Sequence, residues 1–242
     1  MAALKGKIAL ITGATRGLGA EIAKRYAEEG TDLIVLSRNI AQLEVLDDCL
    51  APYGGNVTLV PYDLKDYARL EDLARAIADR YGRLDILVGN AAILGMLGPI
   101  QQMQSAMWQD VIDINLTANW HLLKFFDPLL RKSSAGRAIF ITSEVAHNIL
   151  PYWSAYSVSK AALENMAMLY AHENLNSPLK VNLVDPGNIR TSMHAEACPG
   201  INPLSIPSPE DFTDIFVYLG SEKCKTTGEV FKAQEFKNEN MH

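Results

Sequence analysis

Residues 8–19 read IALITGATRGLG, a short apolar run followed directly by a turn with three glycines. The apolar run predicts a buried β-strand, and the glycines predict a tight turn that opens a helix. In α/β sheets such a turn can hold a pyrophosphate against the free N–H groups of a helix N-terminus. The spacing is GxxxGxG and not the commoner GxGxxG, so a turn without a ligand is the alternative. Its position at the first strand–helix junction favours nucleotide binding.

Aliphatic or β-branched runs alternate with helix-period segments along the rest of the chain. The predicted strands cover residues 7–12, 32–37, 56–61, 84–88, 137–143, 179–184 and 229–233. The predicted helices cover residues 17–29, 39–52, 66–81, 103–132 and 152–176. Because the strands are almost continuously apolar, this order predicts an α/β fold. We expect a doubly wound parallel sheet of about seven strands with helices on both faces.

The chain lacks a Pro/Gly/Ser-rich linker and an internal repeat, so we expect residues 1–242 to form a single domain. One irregular stretch, residues 186–209, contains five prolines and two glycines. An irregular segment of this length within a compact domain is usually functional, and we expect it to form a lid-like substrate loop.

The composition excludes several classes of protein. The chain has 242 residues, of which 48% are hydrophobic and 21% charged, as in an ordinary globular domain. The net charge of −6 and the scattered basic residues give no sign of a nucleic-acid binder. No apolar run is long enough for a membrane span or a signal peptide. Cys49, Cys198 and Cys224 form no metal-ligand pattern, so we expect free thiols, no metal and a cytoplasmic location.

The second predicted strand ends in Ser37-Arg38, about twenty residues beyond the glycines. An acidic residue at this point would bind a ribose hydroxyl of NAD, whereas an arginine accommodates the 2′-phosphate of NADP. Arg16 in the turn adds a second cation. The arginines could also be solvated surface charges, but the missing acid and the two cations together favour NADP(H) over NAD(H).

Three further residues indicate chemistry at the carboxyl end of the predicted sheet. Ser143 ends the strand 137–143, where open α/β sheets bind ligands. Tyr156 and Lys160 are four residues apart and therefore share one face of the following helix. Each of these residues alone is more often structural, but their combination with a nucleotide turn favours catalysis.

Seven elements in a fixed order carry a resemblance to a known family. They are TGATRGLG at residues 12–19, Asp63-Leu64, Asn90-Ala91, Asn115, Ser143, YSVSK at residues 156–160, and Pro186-Gly187 with Ile189 and Thr191. On these motifs the chain resembles the classical short-chain dehydrogenase/reductases over about residues 5–233. The resemblance implies a Rossmann-type oxidoreductase domain that uses NAD or NADP, often as a dimer or tetramer.

The resemblance also implies roles for individual residues. Asn115, Ser143, Tyr156 and Lys160 correspond to the family's catalytic tetrad. Tyr156 would exchange a proton with the substrate oxygen, and Ser143 would hydrogen-bond that oxygen. Lys160 and an oxidised nicotinamide would lower the pKa of the Tyr156 phenol, and Asn115 would hold a relay water. The expected cofactor contacts are Gly13, Thr15, Arg16, Gly17, Leu18, Gly19, Ser37, Arg38, Asp63, Leu64, Asn90, Ala91, Tyr156, Lys160, Pro186, Gly187, Ile189 and Thr191.

Two motifs depart from the family pattern. The family's Asn-Asn-Ala-Gly is replaced by GNAA at residues 89–92, which removes one supporting side chain. The last strand leads to FKAQE at residues 231–235 where the family usually has Asp-Gly-Gly. The second change leaves the C-terminal contribution to the pocket or to subunit contacts open.

The sequence says little about the substrate. The expected pocket is apolar, with His147, Arg190 and His194 more often solvent-facing than substrate-binding. Its predicted lining is Ile93, Leu94, Leu97, Ile149, Leu150, Tyr152, Trp153 and Met193. We expect an NADP-dependent enzyme that interconverts a ketone and a secondary alcohol on a small, largely apolar substrate.

Two other functions remain open at this point. One is a 3-oxoacyl thioester reductase, whose acidic carrier would dock on a basic patch formed by Arg131, Lys132 and Arg137. The other is a nucleotide-sensing protein that keeps the fold without turnover. The presence of all four tetrad residues argues against the second.

Overall fold

The computed structural model describes residues 2–236, so Met1 and residues 237–242 of the expected domain lie outside the described part. Seven strands form the centre of the fold, and the five inner ones consist almost entirely of buried residues. The seven strands are β1 (Ile8–Thr12), β2 (Asp32–Ser37), β3 (Val57–Pro61), β4 (Ile86–Gly89), β5 (Arg137–Ile141), β6 (Lys180–Asp185) and β7 (Val230–Lys232).

The strands form one parallel sheet in the order β3-β2-β1-β4-β5-β6-β7. The order reverses between β1 and β4, so the connections after these two strands leave the sheet in opposite directions. At such a switch point a crevice opens beyond the carboxyl ends of the strands, and ligands bind there in open α/β sheets.

Helices cover both faces of the sheet. They are α1 (Gly17–Glu28), α2 (Ile40–Leu50), α3 (Tyr67–Tyr81), α4 (Ser105–Ile112), α5 (Ala118–Lys132), α6 (Ser154–Glu173), α7 (Ser192–Ala197) and α8 (Asp214–Gly220). Alternate residues of β1 face opposite cores. Ala9 and Ile11 pack with α1, α2 and α8, whereas Ile8 and Leu10 pack with α3, α5 and α6. The expected doubly wound, Rossmann-type sheet is confirmed.

The prediction of one continuous helix over residues 103–132 is wrong. Helix α4 ends at Ile112, a π-helical turn spans Asp113–Thr117, and α5 follows. The wider turn leaves the Asn115 carbonyl available, and the Asn119 side chain donates a hydrogen bond to it at 2.9 Å. Apolar periodicity cannot reveal such a turn, because the helix direction and its buried face continue across it.

Other boundaries also differ from the predictions. Helix α2 ends at Leu50, and a 3-10 turn over Ala51–Tyr53 follows because Pro52 cannot donate a backbone hydrogen bond. Helix α6 begins at Ser154 and ends at Glu173, which is shorter than the predicted 152–176. Tyr152 has a φ of 76° and therefore cannot belong to it.

The C-terminal third contains helices that the sequence analysis missed. Helix α8 has only seven residues, and five of them are buried, so it shows no amphipathic period. Helix α7 lies within residues 186–209, which are therefore not one irregular loop. No helix among the described residues is long and apolar enough to cross a membrane.

Candidate active site

The glycine-rich turn joins the end of β1 to the start of α1. Gly13 has a φ of 62°, and a Cβ at this position would lie 3.0 Å from the Ala91 Cα. A Cβ on Gly19 would overlap the carbonyl oxygen of Gly13 and the amide of Asn90. The turn therefore requires glycine at both places. Within residues 2–236, no side chain caps the first turn of α1, which leaves its N–H groups available to an anion.

Asn90 holds this turn from the neighbouring strand. Its side-chain nitrogen donates to the carbonyl oxygens of Thr12 at 2.9 Å and Gly13 at 3.1 Å. The Thr12 hydroxyl accepts from the backbone nitrogens of Asn90 and Ala91, both at 3.0 Å. These bonds tie β1 to β4 across the switch point and give the crevice a fixed floor.

The departure at residue 89 has a structural explanation. A Cβ on Gly89 would overlap the Asn119 side-chain oxygen and would lie 2.5 Å from the Phe140 ring. Asn119 is buried and belongs to α5. Its side chain therefore occupies the space into which an asparagine at residue 89 would project.

The end of β2 forms the far end of the crevice. The Ser37 and Thr15 hydroxyls are 3.0 Å apart, and the Thr15 hydroxyl also donates to Gln42 at 3.2 Å. Arg16 and Arg38 are exposed and line the same crevice. Neither arginine forms an ion pair within the part of the chain that the structure describes, so both guanidinium groups are available to an external anion.

Ser143, Tyr156 and Lys160 meet at the other end of the crevice. Ser143 follows the end of β5, whereas Tyr156 and Lys160 lie on the first turns of α6. The Ser143 side chain lies near the Tyr156 phenol and acts to lower its pKa. Lys160 Nζ donates to the Ile141 carbonyl at 2.7 Å and lies 5.6 Å from the centre of the Tyr156 ring.

Burial controls the protonation of these groups. It raises the pKa of the Tyr156 phenol to about 12, an effect to which Asp185 adds and which the Ser143 side chain opposes. It lowers the pKa of the Lys160 ammonium to about 8, against the attraction of Glu164 and Asp185. Burial is the largest influence on the Tyr156 pKa in this structure, and the expected lowering by Lys160 stays a prediction for the nucleotide-bound site. The expected effect of an oxidised nicotinamide stays a prediction.

Asn115 lies behind the crevice wall and not in it. Its side-chain oxygen accepts from the Ile93 nitrogen at 2.9 Å, and its side-chain nitrogen donates to the Ile93 carbonyl and the Ser159 hydroxyl, both at 3.0 Å. The side chain thus fixes the wall at Ile93 and the helix that carries Tyr156 and Lys160. Because these bonds engage the Asn115 side chain, the expected relay water would have to bind atoms outside that side chain.

The wall beyond β6 is closed by the C-terminal segment. The Gly187 nitrogen donates to Asp185 at 2.9 Å, and Gly187 has a φ of 65°. A Cβ on Gly187 would lie 2.5 Å from the Gln234 side chain, which donates to the Asn188 carbonyl at 3.4 Å. Gln234 of the divergent FKAQE segment therefore covers the turn after β6.

Only four of the eight apolar residues that the sequence analysis expected at the substrate end line the crevice. Ile93, Leu94, Trp153, Met193 and His194 line it together with Ala197. Leu97 packs behind this lining, in the apolar cluster around Leu94. The inclusion of Ile149, Leu150 and Tyr152 was wrong, since all three are exposed and none of them lines the crevice. Arg190 is also exposed and outside the lining.

The structure brings nearly all the expected cofactor residues to one crevice of about 890 Å³. Gly19 is the exception, because it lies behind the turn and supports it. The sequence analysis missed Leu36, Asn39, Gln42 and Tyr62, which also line the crevice. Their position close to Ser37 or Asp63 in the sequence could have identified them as crevice residues. Among the described residues, no group of three metal-ligating side chains is close enough to hold a metal ion.

Comparisons with known proteins agree with this geometry. The family model for short chain dehydrogenases matches residues 7–201. The uncharacterized oxidoreductase YciK of Escherichia coli K12 is 35% identical over 235 residues, which cover 96% of this chain and 93% of the relative.

Two solved structures share the fold and carry a bound nucleotide. A short chain dehydrogenase from Shigella flexneri 2a in complex with NADP superposes with a TM-score of 0.93 at 34% identity, covering 97% of this chain and all of that chain. A short chain dehydrogenase from Escherichia coli CFT073 in complex with NADPH gives a TM-score of 0.93 at 34% identity, covering 97% and 99% of the two chains.

Proposed function

The chain belongs to the short-chain dehydrogenase family of oxidoreductases, and from that premise we propose that it reduces a ketone to a secondary alcohol with NADPH. One observation carries the proposal. Ser143 and the Tyr156 phenol lie together in the same crevice as the glycine-rich turn, with Lys160 Nζ 5.6 Å from the centre of the Tyr156 ring.

The residues of the crevice fit a dinucleotide. The free N–H groups at the start of α1 suit the pyrophosphate, and the glycines leave room for it. Arg16, Arg38, Thr15 and Ser37 suit the 2′-phosphate of an NADP adenosine. When bound, the nicotinamide supplies the hydride that reduces the carbonyl carbon.

The chain's own residues supply the proton and hold the substrate. Because burial raises the pKa of Tyr156 to about 12, its phenol is protonated at neutral pH and can donate to the developing alkoxide. Ser143 orients the same oxygen by a hydrogen bond. The Lys160 ammonium stabilises the phenolate that remains, and solvent returns the proton.

The lining of the substrate end supports a small, apolar carbonyl compound. It consists of Ile93, Leu94, Trp153, Met193 and Ala197, with His194 as the ionisable group. A carrier-bound 3-oxoacyl thioester is a weaker candidate. Arg137 is buried and Arg131 is paired with Asp127 at 2.8 Å, so the expected basic docking patch is reduced mainly to Lys132.

A screen of NADPH consumption tests the proposal directly. Ketones, aldehydes and oxoacyl thioesters are offered to the purified wild-type protein and to Tyr156→Phe. We expect turnover of at least one small ketone, lost by roughly 100-fold or more in the variant because the proton donor is absent. The NADPH dissociation constant, measured by fluorescence, should stay within about threefold. Retained turnover in Tyr156→Phe would contradict the role of the phenol.

We also propose a cytoplasmic homo-oligomer, a dimer or a tetramer. The free thiols of Cys49, Cys198 and Cys224 fit a reducing compartment. Trp120 on α5 and Leu169 on α6 are exposed apolar side chains of the kind that subunit contacts cover. Sedimentation equilibrium measures the assembly, and a monomer at micromolar concentration would contradict it.

A further inference from the structure

Glu164 is a buried carboxylate that the proposed chemistry does not use. It lies on α6 one turn after Lys160, and only 4% of its surface is exposed. A buried charge is costly unless hydrogen bonds and a counter-ion compensate it. The Thr142 hydroxyl donates to Glu164 Oε1 at 2.5 Å, and His147 Nε2 lies 3.0 Å from Glu164 Oε2. Both carboxylate oxygens are therefore engaged.

The two partners of Glu164 flank the catalytic serine. Thr142 immediately precedes Ser143, and His147 follows the 3-10 turn over Glu144–Ala146. Helix α6, which carries Glu164, also carries Tyr156 and Lys160. The carboxylate thus fastens the segment of Ser143 to the helix of Tyr156 from both sides. Ser143 and Tyr156 face one crevice at the same junction.

The charges around Glu164 act on Lys160 as well. Burial disfavours the Lys160 ammonium, and the negative charges that oppose this effect are Glu164 on the same helix and Asp185 at the end of β6. Burial raises the pKa of Glu164, whereas the Thr142 hydrogen bond, His147 and Lys160 favour its ionised form and Asp185 disfavours it. His147 is half exposed and faces solvent on its other side.

We propose that Glu164 is a positioning residue of this enzyme, which holds the Ser143 segment against α6 and places a carboxylate one turn from Lys160, with His147 as its solvent-facing polar partner. The kinetic part of this inference rests on the proposed carbonyl reduction. A merely structural contact would affect stability but not the kcat of the folded protein.

The kinetic test compares Glu164→Gln with Glu173→Gln, a matched change at an exposed glutamate on the same helix. We expect kcat of Glu164→Gln to fall roughly 10- to 100-fold, as for a small displacement of reacting groups, with the KM for NADPH within about threefold. The alkaline limb of its kcat profile should move to lower pH, because the Lys160 ammonium loses a stabilising charge. Glu173→Gln should match the wild type in kcat, in the KM for NADPH and in the alkaline limb of the kcat profile.

A second measurement requires no turnover. In protein labelled with 13C-lysine, the Lys160 signal is assigned by its loss in Lys160→Arg and is then titrated by NMR. We expect a midpoint near the pKa of about 8 in the wild type. In Glu164→Gln the midpoint should be lower by about one pH unit. A Glu164→Gln variant that matches Glu173→Gln in kcat and in this midpoint would overturn the proposal.

Two further variants apply if Glu164→Gln does not fold. Thr142→Val removes one hydroxyl and keeps the β-branched shape, and we expect a roughly 3- to 10-fold lower kcat that Thr142→Ser restores. Equal kcat in Thr142→Val and the wild type would contradict the positioning role. A wild-type protein that reduces no carbonyl compound would contradict the proposed function instead, while the Lys160 titration still reports on Glu164.

Discussion

At the scale of single residues, we expect Arg38 to decide which cofactor the crevice prefers. It is exposed at the end of β2 and is without an ion-pair partner among residues 2–236. A charge-assisted hydrogen bond to a phosphate contributes about 1.5–3 kcal/mol, or roughly 10- to 100-fold in affinity. We therefore expect the wild type to prefer NADPH over NADH by roughly 10-fold or more in kcat/KM.

Arg38→Asp should remove or reverse that preference, since the new carboxylate repels the 2′-phosphate. Steady-state kcat/KM for both cofactors measures the effect. Arg80→Asp makes the same change of charge at an exposed site on α3 and should leave the ratio unaltered. Equal use of NADH by the wild type would show that Arg16 and Arg38 are ordinary surface charges.

We expect Lys160 to set the pH range of the proposed reaction. Burial lowers its pKa to about 8, whereas burial raises that of Tyr156 to about 12. The rate of reduction should be constant near pH 7 and fall above about pH 8, with Tyr156 still protonated. The decline is not unfolding. Between pH 8 and the ordinary lysine pKa the unfolded state binds more protons, so this group's contribution to stability rises with pH.

A pH profile of kcat with a parallel melting curve checks this prediction. A rate that persists to pH 10 would show that the Lys160 charge is not needed. A rate that falls together with the melting temperature would indicate unfolding as the cause.

At the scale of elements, the sequence predicts what periodicity and position control. All seven strands and the glycine-rich turn were found because their apolar runs and glycines act locally. The sequence analysis did not find the π-helical turn at Asp113–Thr117 or the short helix α8, because both depend on contacts made across the fold. Asn115 shows the same limit. Its motif was recognised, but its partners Ile93 and Ser159 are set by tertiary packing.

Residues 188–207, within the stretch 186–209 that we expect to form a lid, contribute side chains to the crevice. Near the ends of this segment, the Arg190 nitrogen donates a hydrogen bond to the Pro207 carbonyl at 2.9 Å. Met193 and His194 line the crevice, whereas Leu204 is 80% exposed on the outside. We expect this segment to be mobile without ligand and ordered with cofactor and substrate bound.

Limited digestion with chymotrypsin tests the lid. Cleavage after Leu204 should slow by roughly 10-fold with saturating NADP and a bound alcohol, because the segment must open locally to be cut. Tyr53, on an exposed turn after α2, is the internal control and should be cut at the same rate in both states. If the ligands slow cleavage equally at Leu204 and Tyr53, or at neither residue, the result counts against a lid.

At the scale of the whole molecule, the two edges of the parallel sheet have different roles, because the carboxyl ends of the strands form the site and the amino ends contribute to stability. The carboxyl ends of β1, β4, β5 and β6 carry the crevice, while their amino ends are tied together by buried polar groups. Asp85, just before β4, accepts from the Ile8 nitrogen at 2.9 Å and from the Arg83 guanidinium at 3.1 Å. Substitutions at the amino ends should therefore change stability and leave the chemistry unaltered.

Arg137 is the sharpest case, and it corrects an expectation. As a candidate for a basic docking patch it should be exposed, yet only 3% of its surface is accessible, because its guanidinium is used inside the fold. It donates to the carbonyls of Ser221 at 3.0 Å, Pro178 at 3.2 Å and Cys224 at 3.3 Å, and also to that of Gly136. These bonds fasten the start of β5 to the segments that precede β6 and β7.

Arg137→Met fills a similar volume but leaves those carbonyls unpaired in the interior. We expect a loss of about 2–4 kcal/mol in the free energy of unfolding, and a melting temperature lower by roughly 5–15 °C. Arg137→Lys should recover only part of this loss, because an ammonium cannot reach carbonyls on several sides at once. Activity per folded molecule should stay within about twofold, since β5 places its carboxyl end, not Arg137, at the crevice. Thermal unfolding with active-site titration measures both quantities. If Arg137→Met is as stable as the wild type but turns over a carrier-bound thioester more slowly, the result supports a docking role for Arg137 instead.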